Sequence, residues 1–173
     1  AQENASLPGS REKRISFNRP ELPRFFVDTS MPQHSGRVIE VPDDGDFQQA
    51  IRDAQPGDTI VLQAGATYTG TFTLPRKDGD GWIIVQSSAV SQLPPPGARV
   101  TPADSRHMPK IVTARNVQPA MRTQHGAHHY RFIGIEFATA PEVKRVSAIV
   151  EVSHNRSTRL EDVPSHSVFD RVY

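Results

Sequence analysis

Apolar residues in this chain recur at two different spacings, and the switch between them sets the expected order of elements. Arg37-Val38-Ile39-Glu40-Val41 alternates apolar with polar side chains and is closed by Pro42 and the turn formers Asp43-Asp44-Gly45, which predicts a short strand. Phe47, Ala50, Ile51 and Ala54 then stand at i, i+3, i+4 and i+7, one apolar stripe of a helix. Asp46 occupies the N-cap position, where its carboxylate can accept from free first-turn amides. Pro56-Gly57 ends the helix, because neither residue continues one. A helix this short does not stand alone, so the stripe between Gly45 and Ala54 has to cover something.

From Thr59 the pattern becomes strand, corner, strand. Thr59 to Leu62, Thr67 to Thr69, Thr71 to Leu74 and Trp82 to Gln86 are short β-branched or aromatic runs, divided by Gly65, Gly70 and a Gly-containing charged loop from Pro75 to Gly81. Lys110 to Thr113 resumes the strands after a long insertion, Ser87 to Pro109, that holds Pro94-Pro95-Pro96. His129 to Phe137 reads as two strands either side of Gly134, and Ser147 to Val152 and Val168 to Val172 complete the series. The hairpin dipeptide Asn-Gly is missing between the runs, which favours a coil turning one way over a meander.

The starts at Thr59, Trp82, Lys110 and Tyr130 differ by 23, 28 and 20 residues, a drifting repeat suited to one turn of a β-solenoid per step. Tyr130-Arg131-Phe132-Ile133-Gly134-Ile135 echoes Ser167-Val168-Phe169-Asp170-Arg171-Val172, with Phe132 matching Phe169 and Ile135 matching Val172. The fold expected is all-β, a parallel β-helix spanning residues 37–173, with the short helix capping its first coil. Residues 1–36 form an extended or partly disordered arm, with Leu22, Phe25, Phe26 and Val27 able to lie against the body. The last run stops at Tyr173 with no closing segment, so the domain is expected to be incomplete at that end.

Composition narrows the functional classes. A chain of 173 residues is one domain's worth, and its 15 Pro and 11 Gly argue against long helices. A net charge of +1 leaves no nucleic-acid footprint. The absence of cysteine rules out disulfides, thiol nucleophiles and Cys-ligated zinc. No apolar run reaches the roughly 20 residues of a membrane span. Ala1-Gln2-Glu3, without an initiator Met, fits a mature end left by signal-peptide cleavage, hence a secreted or periplasmic protein. Asn4-Ala5-Ser6 and Asn155-Arg156-Ser157 fit the N-glycosylation pattern.

The stretch from Phe47-Gln48-Gln49-Ala50-Ile51 through Pro56-Gly57-Asp58-Thr59-Ile60-Val61-Leu62, then Gly65 to Tyr68 and Trp82-Ile83-Ile84-Val85, resembles the right-handed parallel β-helix superfamily with the pectin-lyase-like fold. Tyr130-Arg131-Phe132-Ile133-Gly134 looks like one of its inner coils. That superfamily includes pectate and alginate lyases, hydrolases, epimerases and adhesins, so the resemblance is specific for fold and weak for activity. It implies a polysaccharide as partner and, for a lyase, β-elimination on an acidic glycan. The chemistry requires a base beside the uronate and either calcium or arginines to neutralise the carboxylate.

Residues of the last coils are the candidates for such work. Lys144, Arg145 and Arg171, with Asp170, are the catalytic candidates, and Glu136, Glu151 and Trp82 the substrate-binding ones. Against this stands the plainer reading, in which these are solvent-facing charges, Asp170-Arg171 is a structural corner pair and Trp82 belongs to the core. Tyr68 shares with Trp82 the capacity to stack on a sugar ring. His125, His128 and His129 cluster in sequence, while His107, His154 and His166 sit on loops; isolated histidines are expected, with no metal site. The rival function is a non-catalytic β-helix that binds carbohydrate or assembles end to end as a homo-oligomer through its open C-terminal coil.

Overall fold

The computed structural model describes residues 30–33, 35–152 and 157–173. The chain divides between Ser30 and Met31, so every described residue but Ser30 belongs to one unit. The readings of Leu22, Phe25, Phe26 and Val27 as a packed arm, of His154, and of the asparagines of both glycosylation patterns fall outside the described residues.

In chain order the elements are β1 (Val38–Val41), α1 (Phe47–Asp53), β2 (Thr59–Leu62), β3 (Thr67–Thr69), β4 (Phe72–Leu74), β5 (Ile83–Ser87) and β6 (Lys110–Thr113). They continue with β7 (Met121–Thr123), β8 (His128–Ile133), β9 (Glu136–Thr139), β10 (Val150–Glu151) and β11 (Ser165–Asp170). The first sheet has the order β1-β2-β5-β8-β11, the second β3-β6-β9 and the third β4-β7-β10. Every strand pairing among the described residues is parallel. From β2 on the chain therefore visits the three sheets in rotation, adding one strand to each per circuit, while β1 lies beside β2 in the first sheet. The unit is mostly β, and its arrangement is compatible with a β-solenoid.

Register stacks like side chains from circuit to circuit. Ile39, Ile60, Val85, Phe132 and Phe169 are aligned in the first sheet, Tyr68, Ile111 and Phe137 in the second, and Phe72, Met121 and Val150 in the third. These columns meet in one core, with Ile60, Val85, Phe132, Ile111 and Met121 fully buried. Period-2 alternation explains the choice, because residues two apart share a face and only one face meets the other sheets. The echo between the segments at Tyr130 and Ser167 is the register itself: Ser167 pairs with Tyr130 and Phe169 with Phe132. Their rings lie parallel at 5.3 Å, and Phe137 meets both edge-on.

The helix forms where the 3.6-residue stripe placed it. Asp46 accepts from the Gln49 amide at 2.8 Å, and Phe47, Ala50, Ile51 and Ala54 are buried. Phe47 packs on Tyr68 and Phe72, at ring distances of 5.8 and 4.8 Å. The stripe thus covers the first circuit.

Two expectations about the strands change. Lys110 does not begin a circuit: it opens β6, in the second sheet, so the long insertion lies inside a circuit, between β5 and β6. Parallel pairing in the first sheet runs Thr59, Ile84, Arg131, Val168, and corner loops of unequal length make the repeat irregular. Of the run from Ser147 to Val152, only Val150–Glu151 pairs as a strand. The insertion is pinned by Ser87, whose hydroxyl donates to the His107 carbonyl and accepts from the Ala89 amide. Leu93 and Met108 anchor it to the core. At the next corner Gly134 adopts φ 65, and a Cβ there would collide with the Leu93 side chain.

Candidate functional site

The seven candidate residues fall into five places. Asp170 and Arg171 sit at the end of β11, at the corner between first and second sheets. Arg171 takes φ 50 where the previous circuit has Gly134, and its guanidinium donates to Asp170 at 3.1 and 3.2 Å and to the Pro94 carbonyl at 3.0 Å. Arg131 Nη2 reaches the same carboxylate at 3.4 Å. The Asp170 carboxylate therefore serves two guanidiniums, and neither Asp170 nor Arg171 projects into solvent: their side chains are 13% and 9% exposed.

Glu136 opens β9 beside Lys110, its register partner in the second sheet, with Lys110 Nζ 3.3 Å from Oε2. Glu151 lies on β10 opposite Arg122, and Thr73 completes that outward column of the third sheet. A hollow of about 560 Å³ beside it is lined by Thr73, Arg122, Thr123, Gln124 and His125. Trp82 precedes β5, half-buried, with its ring edge-on to His129 at 5.3 Å. Tyr68 is buried, and its hydroxyl donates to the Val41 carbonyl at 2.7 Å. Its ring therefore belongs to the core.

Lys144 and Arg145 are exposed in the loop after β9. Their backbone amides both donate to Asn116 Oδ1, at 2.9 and 3.2 Å, and the Arg145 carbonyl accepts from the Val117 amide at 2.8 Å. One side chain from the preceding circuit thus fixes the loop while leaving its cationic ends in solvent. The same preceding segment forms a wall of a groove of about 480 Å³, lined by Thr69, Gly70, Thr71, Thr113, Ala114, Arg115 and Gln118. Thr71 Oγ1 donates to Gln118 Oε1 at 3.2 Å across it. Among the described residues no ion pair engages Arg115, Lys144 or Arg145.

This corner between the second and third sheets combines hydroxyls, an amide and three exposed cations from adjacent circuits. Hydroxyl and amide groups exchange hydrogen bonds with sugar hydroxyls, and unpaired guanidinium and ammonium groups attract carboxylates. The sequence reading named Lys144 and Arg145 but not Arg115, Asn116 or Gln118. The signal was available in the corner composition, Thr69-Gly70-Thr71 against Thr113-Ala114-Arg115. Using it required aligning Lys110 with Thr67, as the register does, and not with Thr59.

Among the described residues no group of three or more His, Asp or Glu is arranged to hold a metal ion. No helix among them is long and apolar enough to cross a membrane. No protein-family model, curated protein or solved structure matches the chain.

Proposed function

We propose that this chain is a right-handed parallel β-helix of the pectin-lyase-like kind that engages an acidic polysaccharide at the corner groove of Thr69, Thr71, Thr113, Arg115 and Gln118. Rotation of the chain through three parallel sheets, with a helix over the first circuit, supports the fold. The observation that carries the function is the cation set. Arg115 lines the polar groove, Lys144 and Arg145 belong to the loop that Asn116 holds at the same corner one circuit on, and none of the three pairs with a carboxylate among the described residues. A uronate-bearing glycan supplies the missing carboxylates and the hydroxyls. Such a substrate belongs to a secreted or periplasmic setting.

The chemistry this reading assigns is β-elimination. Lys144 in its unprotonated form takes the proton next to the uronate carboxylate while Arg145 holds that carboxylate, and the electron pair left behind forms the new carbon–carbon double bond. The bond to the glycosidic oxygen breaks, and that oxygen leaves as a hydroxyl after taking a proton from solvent water. Arg115 balances the carboxylate charge that builds during proton removal. Asp170 and Arg171 neutralise one another in this reading and hold the corner.

Electrophoresis through gels containing polygalacturonate or alginate tests binding, and absorbance of the unsaturated uronate tests turnover, each with and without calcium. The expected result is retardation that weakens with salt and disappears in Arg115→Ala/Lys144→Ala/Arg145→Ala. Unretarded migration on both acidic glycans overturns the proposal.

A second reading rests on a separate observation. Phe137, Ile149, Val150, Phe169 and Val172 cluster at the far end of the core and are only partly buried, an apolar face suited to end-to-end self-assembly. Light scattering that shows a large species without glycan retardation favours it.

A further inference from the structure

Four side chains outside the groove form a continuous ring contact across three successive strands of the first sheet. Trp82, just before β5, meets His129 of β8 edge-on at 5.3 Å; His129 stacks on His166 of β11 at 4.3 Å with planes 8° apart. His128 stands edge-on to His129 at 4.9 Å, and the two Nδ1 atoms are 2.7 Å apart. His129 and His166 both have left-handed backbone, at φ 60 and 50. For residues other than glycine that conformation costs energy and persists only where surroundings hold it.

We infer that His128, His129 and His166 form an acid-sensitive latch that fastens the start of β11 to β8 when the imidazoles are neutral and releases it when they take up protons. The Nδ1-to-Nδ1 hydrogen bond requires that one of the two atoms be unprotonated, since one must donate and the other accept. Full protonation of His128 and His129 sets N–H against N–H at 2.7 Å. Protonation of His129 and His166 places two cations face to face in the stack. Release is local because, among the described residues, β11 pairs with β8 alone. At its other end Asp170 and Arg171 keep it tied to Arg131 and Pro94.

The charged and titratable groups around His129 are His128 on its own strand, His166 on β11 and Asp80 in the turn before Trp82. Burial, then His166 and His128, hold the His129 pKa below the usual imidazole range, and Asp80 opposes them. His128 also borders a hollow of about 250 Å³ shared with Arg76 and Glu161. An imidazole depressed in the folded state stabilises fully above its unfolded pKa of about 6.5, and that stabilisation is lost as pH falls through the folded value.

Hydrogen exchange of the whole chain tests the latch, with rates corrected for intrinsic chemistry. Between pH 7.5 and 5.5 the amides from Ser165 to Val168 should lose protection by up to roughly tenfold per pH unit for each proton taken up. Those of β2 and β5 should not change. His129→Asn and His166→Asn, which tolerate the left-handed backbone, should flatten that response. Ring titration by NMR in the unsubstituted chain gives a second readout, with His129 expected below the ordinary value. Unchanged protection of β11, equal loss in all strands, an undiminished response in both variants, or His129 titrating at or above 6.5 would each overturn the inference.

Discussion

Asp58 is 3% exposed and its carboxylate accepts from the Arg37 amide at 2.7 Å, the Arg37 guanidinium at 2.8 Å and the Gln55 amide at 2.9 Å. Burial pushes its pKa up, but these hydrogen bonds outweigh burial and hold it below the usual carboxylate range. Stability from the ionised form is therefore complete above about pH 4 and is lost as pH falls through the lower folded value. Denaturant midpoints measured from pH 5 to 2 should fall more steeply for the natural chain than for Asp58→Asn. Asp58→Ala leaves two amides without their acceptor and should cost about 2–3 kcal/mol at pH 7, measured by urea unfolding. Gly134→Ala should cost a further share of the same kind, about 1–3 kcal/mol, because left-handed backbone and the Leu93 side chain leave no room.

At the level of elements, α1 is the best test of the argument from spacing. Phe47→Ala removes a ring packed on Tyr68 and Phe72 and should cost about 3–5 kcal/mol; Asp46→Ala, losing only the cap, should cost about 1 kcal/mol. Thermal melts of the two variants should rank in that order. The helix, its cap and the alignment of Phe132 with Phe169 were legible because each depends on neighbours a few residues away or on a repeated face. The assignment of strands to sheets was not. It depends on corner lengths, and nothing in Ser88 to Pro109 marks the segment as lying inside a circuit. The candidate site was legible in half: Lys144 and Arg145 are visible as charges, but Asn116 earns its place only once the circuits are stacked. The meeting of His129 with His166 was equally hidden, since left-handed backbone at two histidines has no signature in composition.

For the molecule as a whole, the described strands pair with those of adjacent circuits, so a side chain's contribution depends on its place in the sheet order. Phe132 is fully buried between Val85 and Phe169, whereas Phe169 has a neighbour on one side among the described strands. Phe132→Ala should cost about 4 kcal/mol and Phe169→Ala roughly half of that, read from chemical denaturation of each variant.

The insertion between β5 and β6 has a practical side. Ser87, Leu93 and Met108 hold it at its base, while Pro95 to Arg99 are exposed, and Gly97, at φ 85, has open space around it. Parallel register is set by the strands and not by this tip. A foreign peptide spliced after Gly97 should therefore be displayed on a rigid platform without shifting a single strand partner. Lengthening the tip should cost only about 0.6 kcal/mol per doubling of its length. The corner that obscured the repeat in the sequence is thus the place where the chain offers itself as a scaffold.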